Sequence, residues 1–417
     1  MTRSEALRLS LARVESPGVT TLGERWPVIW ERGAGSTIWD VDGREFLDLT
    51  AAFGVAALGH ASPVIADAVA AQARTLLHGM GDMHPPAVKV ALLERLAELA
   101  PGGLTIGALG LNGADAVETA LKCAMLVTGK AGVIAFEGGY HGVLGAALDV
   151  TSRREFRDPF SARVAGRTTF VRFPETAPEM AAALEEVDRK LTGRGSGILP
   201  TGAIIVEPIQ ARGGIVVPPG GFLAELRRLC DRHEAMLIVD EIYTGFGRTG
   251  TLFAIEADGV RPDLLCLGKA LAGGMPLSAC LGHADSLGRW PKAQGEAIHT
   301  ATFVGHPGSC AAALAAIDGI VSGRLWERSA RLGAVARARM ERFPGVRVRG
   351  RGLMLGAVLG SGAHAVRAME HAVELGVLVL VEGPDSDVVA ITPPLTITEA
   401  ELLSGLDRVE QAIRDTA

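Results

Sequence analysis

The sequence predicts an α/β protein organised on a parallel sheet, and three observations carry that prediction. Short apolar runs at residues 107–111, 133–136, 203–206, 236–239 and 264–267 have the length and continuity of strands buried on both faces. Each exits into a glycine-rich or polar turn, and helical periodicity separates them, as at 114–128 and 219–235, which is the alternation a parallel sheet requires. Hydrophobic residues make up 48% of the chain and glycine is abundant, which suits close-packed helix and sheet layers. With 417 residues the chain is long enough for roughly two or three domains. The expected division is an N-terminal segment and meander over 1–60, a large α/β unit over 61–320, and a small α+β unit over 321–417 that the meander joins.

In chain order, residues 1–18 are charged and amphipathic with no apolar signal core, so no secretory signal is expected. Residues 28–48 read as a meander with Asp42-Gly43 at a tight hairpin turn. The stretch AAFGVAALGH follows, and its small residues imply close backbone approach around Phe53. Helices are expected at 63–78 and 85–100, each opened by proline. The run 107–111 enters Asn112-Gly113-Ala114-Asp115 at a helix start, where free backbone amides make an anion site. The run 133–136 leads into EGGYHG, with Tyr140 and His141. Residues 151–174 are arginine-rich and read as irregular. The run 203–206 ends in Glu207, and 236–239 ends in Asp240. The turn TGFGRTG then brings 264–267 alongside, with Gly268 and Lys269 at its exit. Another strand is expected at 277–282, and alternating helices and strands fill the C-terminal part.

Bulk properties narrow the function classes. A net charge of −6 argues against nucleic acid or an anionic membrane surface as partner. No apolar run approaches the ~20 residues needed to span a bilayer. Five cysteines are scattered without metal-type spacing, which predicts reduced thiols in a cytoplasmic protein and no metal site.

Lys269 and Asp240, held at neighbouring strand ends, suit pyridoxal phosphate chemistry: the lysine forms the Schiff base and the acid keeps the pyridine nitrogen protonated. At these residues the chain also resembles a family. VDEIYTGFGRTG followed by GKALAGG resembles the signature of class III, fold type I aminotransferases, and the resemblance runs from about Trp39 to Thr398. It implies a mostly parallel seven-stranded sheet between helices, with a small α+β domain built from both termini. It further implies pyridoxal 5'-phosphate as cofactor and a homodimer with shared active sites. Lys269 would be the Schiff-base lysine and the proton carrier, and Asp240 the partner of the pyridine nitrogen. Gly113 and Ala114 would supply amides to the phosphate. Tyr140 would stack on the cofactor ring with His141 beside it, Ile242 would press on the opposite face, and Glu207 would be among the cofactor-binding residues. Thr302 would reach the phosphate of the neighbouring subunit, and Phe53 would face substrate.

The departures from the family are informative. Tyr243 stands where a glutamine is usual, and its hydroxyl is expected to donate to the cofactor's phenolic oxygen. Ala114 replaces a frequent hydroxyl residue, and His306 replaces an asparagine. Ornithine-type relatives carry a glutamate and an arginine that admit 2-oxoglutarate; here Arg212 and Ala390 occupy those positions. Arg212 is left with two readings, a clamp for a carboxylate, sulfonate or phosphate, or a solvent-facing loop arginine paired with a local acid. The implied reaction is ping-pong transfer of an amino group from an ω-amino acid, amine or diamine to an oxo acid. Racemisation, epimerisation or an aminomutase reaction on the same scaffold is the alternative.

Overall fold

The protein is described by a computed structural model covering residues 1–20, 27–193 and 199–417. Three sheets organise it. The N-terminal meander forms β1 (Trp30–Ala34), β2 (Thr37–Asp40) and β3 (Glu45–Asp48). The large sheet comprises β4 (Ile106–Gly110), β5 (Gly132–Phe136), β6 (Thr168–Val171), β7 (Thr201–Val206), β8 (Met236–Asp240), β9 (Leu264–Leu267) and β10 (Ser278–Gly282). The C-terminal part adds β11 (Arg347–Arg351), β12 (Met354–Val358), β13 (Val377–Leu378), β14 (Leu380–Glu382) and β15 (Val388–Ile391). β13 pairs parallel with β3, so the first small sheet is built from both ends of the chain.

The large sheet has the order β4-β10-β9-β8-β7-β5-β6. Only β10 runs against its neighbours, pairing antiparallel with both β4 and β9. The central strands β7 and β8 are buried along their whole length, which explains why they read as unbroken apolar runs. Their register sets Val206 beside Val239 and Asp240 beside Cys266, so β7, β8 and β9 end together. The carboxyl ends of such strands are where an open α/β sheet presents functional groups. Residues 151–174, expected to be irregular, contain the edge strand β6. That strand is only half-buried and carries two threonines, so it offers no apolar run to read.

The loop after β3 holds an unusual backbone. Ala51, Ala52 and Phe53 take φ of 46°, 48° and 62°, and Gly54 continues at 78°. Consecutive left-handed residues cost on the order of 1–2 kcal/mol each, so the surroundings must hold them. Buried Asp48 does so: one carboxylate oxygen accepts from the Thr50 amide and hydroxyl at 2.7 and 2.6 Å, and the other meets His60 Nε2 at 2.7 Å. Gly54 is required for a second reason, since a Cβ there would lie 2.9 Å from the Tyr243 ring. Among the described residues no helix is long and apolar enough to cross a membrane.

Candidate active site

A cavity of about 670 Å³ opens at the carboxyl ends of β7, β8 and β9. It brings together Phe53, Gly113, Ala114, Tyr140, His141, Glu207, Arg212, Asp240, Ile242, Tyr243 and Lys269 from loops far apart in the chain. Thr302 is not among the lining residues; it is exposed on the segment before the helix Pro307–Ser322.

The helix Gly113–Thr128 aims its first turn at this cavity. Asn112 caps it, accepting from the Asp115 amide, while Asp115 accepts from the Leu111 amide at 2.8 Å. The amides of Gly113 and Ala114 have no carbonyl four residues back within the helix, and both residues line the cavity. Gly113 also lets Ile242 approach, because a Cβ would lie 2.9 Å from its Cδ1.

Asp240 is buried and fully engaged on its protein side. Its Oδ1 accepts from the Ile242 amide at 3.0 Å, and its Oδ2 lies 2.7 Å from His141 Nδ1. Burial by itself would lower the His141 pKa, but the hydrogen bond and charge of Asp240, with Glu207 beyond, outweigh it, and the net shift is upward from 6.5. The sign follows from linkage. A raised folded value means that this contribution to stability is fully present below the unfolded value of 6.5 and is lost as pH rises through the higher folded one. In cofactor-free protein the His141 ring resonances should therefore titrate with a midpoint above 6.5, and in Asp240→Asn, where Glu207 alone opposes burial, with a midpoint lower than in the wild type. Titration by NMR checks this, and a wild-type midpoint below that value refutes it.

Glu207 braces two loops at once. Its oxygens accept from the amides of Tyr140 and Ala211 at 3.0 and 3.1 Å. Burial pushes its carboxyl up to about 7. Tyr140 meets Phe156 edge-on at 5.7 Å between ring centres, and the Arg212 guanidinium sits 5.6 Å from the Tyr140 ring centre.

Lys269 follows β9 at φ 46°, a left-handed position that turns its side chain into the cavity. Burial lowers its pKa, opposed by the charges of Asp240 and Glu207. Its Nζ lies 4.2 Å from the centre of the Tyr243 ring. The Tyr243 hydroxyl has a protein partner. It lies 3.1 Å from Thr392 Oγ1, and Thr392 in turn donates to the Thr50 carbonyl at 3.3 Å. Either hydroxyl can be the donor in the first bond, and through Thr392 the Tyr243 ring is tied to the loop at Thr50.

Among the lining residues outside the set expected from sequence is a buried acid. Glu382 ends β14, is 3% exposed, and lies 3.5 Å from Arg212 Nε through its Oε2. A lone acid closing the apolar run VLVLVEG is a signal of the same kind as Asp240. Arg212 has a local acid as partner, and both side chains line the cavity. Among the described residues no group of three His, Cys, Asp or Glu side chains is placed to hold a metal ion.

Comparison with known proteins agrees with this architecture. The chain is 36% identical to an acetylornithine aminotransferase of Methanosarcina mazei, over 93% of this chain and 92% of that protein. It is 34% identical to a 2-aminoadipate transaminase of Pseudomonas putida, over 93% and 96% of the two chains. A solved (S)-enantioselective omega-transaminase from Thermomicrobium roseum superposes with a TM-score of 0.89 at 28% identity, covering 100% of this chain and 99% of the other. The model of the family described as aminotransferase class-III matches residues 21–413. With that match over nearly its whole length, the chain belongs to the class III aminotransferase family.

Proposed function

We propose that this protein is a pyridoxal phosphate-dependent ω-aminotransferase, which takes the amino group of an ω-amino acid, amine or diamine and passes it to an oxo acid in two half-reactions. The observation that carries this reading is one cavity holding Lys269, buried Asp240 and the free first-turn amides of Gly113 and Ala114. The residues fit the cofactor. The amides would hold its phosphate, Tyr140 and Ile242 would flank its ring, and Asp240 would face the ring nitrogen. When bound, pyridoxal phosphate supplies an electrophilic carbon for the amine and an electron sink for the pair left when the donor carbon loses its proton.

The chain's own residues do the rest. Asp240 would hold a proton on the ring nitrogen by a charge-assisted hydrogen bond. Its orientation is set by the Ile242 amide and by His141. Lys269 Nζ would take the proton from the donor carbon and return it to the carbon on the far side of the transferred nitrogen, a task helped by burial, which favours the uncharged amine. The Tyr243 ring face steadies the ammonium form between transfers.

We also read the assembly as a homodimer with Thr302 serving the partner's site. Exposed apolar side chains near that segment, Leu77, Met83, Ile298 and Phe303, each more than half exposed, support it. Five buried cysteines in thiol form fit a reducing, cytoplasmic setting.

A half-reaction screen tests the function. Protein carrying its cofactor is mixed with single amines and amino acids without acceptor, and the visible absorbance is followed. A terminal amine is expected to convert the bound cofactor to its amine form, with one equivalent of carbonyl product. Absence of conversion by any amine, together with loss of optical rotation from an α-amino acid, replaces this reading with a racemase.

A further inference from the structure

The cavity lining carries a pair of opposite charges whose contact is incomplete. Arg212 Nε and Glu382 Oε2 are 3.5 Å apart, yet these two buried atoms have no hydrogen-bond partner. Glu382 is 3% exposed and lines the cavity together with Arg212. The other nearby arginine, Arg153, is held by Glu155 at 2.5 Å. A buried carboxylate oxygen left without a donor is costly, and burial accordingly pushes the Glu382 carboxyl up to about 7, with Arg212, Arg153 and Lys269 opposing. A ligand carrying the same two charges in reverse order would satisfy both atoms at once.

We propose that Glu382 and Arg212 form a two-headed subsite for the far end of a diamino acid donor, Glu382 accepting from its α-ammonium and Arg212 donating to its α-carboxylate, while the terminal amine is presented to Lys269. This rests on the aminotransferase reading and narrows its donor class. The backbone supports the geometry. The Gly383 amide donates to the Arg212 carbonyl at 3.1 Å, which fixes the two backbones side by side beneath the two side chains. A monoamine would leave the pair closed on itself; a zwitterionic end opens it and satisfies both members.

The test uses the protein with its cofactor bound and measures kcat and KM separately for L-lysine, ε-aminocaproate, which lacks only the α-ammonium, and pentylamine, which lacks both charged groups. The ornithine series is run in parallel with butylamine. The better diamino acid is expected to exceed its monoamine in kcat/KM by at least about tenfold, the scale of one charge-assisted hydrogen bond. In Glu382→Gln the ratio of lysine to ε-aminocaproate is expected to fall about 10- to 100-fold, mainly through KM. In Arg212→Gln the ratio of ε-aminocaproate to pentylamine falls instead. Unchanged ratios in folded variants overturn the proposal, as do equal wild-type values for lysine and ε-aminocaproate, a comparison that needs no variant. If no amine of either series converts the bound cofactor, the aminotransferase reading fails and takes this subsite with it; equal conversion of all amines sinks the subsite alone.

Discussion

Lys269→Ala is expected to reduce turnover by about 10²- to 10⁴-fold or more, the range associated with losing a positioned proton carrier. The physical reason is that no other amine among the described residues lines the cavity. Asp240 and Glu207 are acceptors already engaged by His141 and by backbone amides, and Arg212 does not give up a proton. Two further readouts separate this from simple misfolding. The absorbance of the lysine-linked cofactor should disappear while non-covalent cofactor is retained. The melting temperature of the cofactor-free variant should not fall, because Lys269 is a cation whose burial disfavours its charged form. A small added amine should restore part of the rate by entering the space the side chain leaves. A variant with near wild-type turnover and an unchanged spectrum would remove Lys269 from the chemistry.

Asp240→Asn is expected to lower kcat by about 10²- to 10³-fold, the usual loss when one preorganised electrostatic partner of the reacting system is removed. The substitution keeps shape but removes charge. The Ile242 amide still requires an oxygen, so the new amide nitrogen must face His141 and force its Nδ1 into the acceptor tautomer. An amide cannot hold a proton on the ring nitrogen as a carboxylate does, so the electron sink weakens while donor binding is largely kept. The expected signature is a fall in kcat with little change in KM, and a cofactor dissociation constant altered far less than the rate. An equal loss in KM and kcat/KM with kcat intact would place Asp240 in donor binding instead.

Much of the fold and the site is legible in the sequence, and the legible part is the local one. Asp240 and Lys269 each close a short apolar run, and the glycines between them announce a tight return, so both strand ends and their adjacency follow from nearby residues. The cap at Asn112 and the helix behind it are local in the same way. The edge strand β6 leaves no such mark, because a half-buried strand need not be apolar. The antiparallel run of β10 is equally silent, since side-chain alternation carries no information on strand direction.

By itself, then, the sequence determined the α/β class, the order of its elements and the lysine and aspartate at the sheet's carboxyl edge, because burial and turn chemistry act between near neighbours. Only the tertiary structure decided the partners. His141 and Asp240 are 99 residues apart, and Tyr243 and Thr392 are 149 apart. Arg212 and Glu382 likewise come from distant loops. Such contacts depend on how whole layers stack, and a polar side chain's role is set by whichever group the stacking leaves within about 3 Å of it.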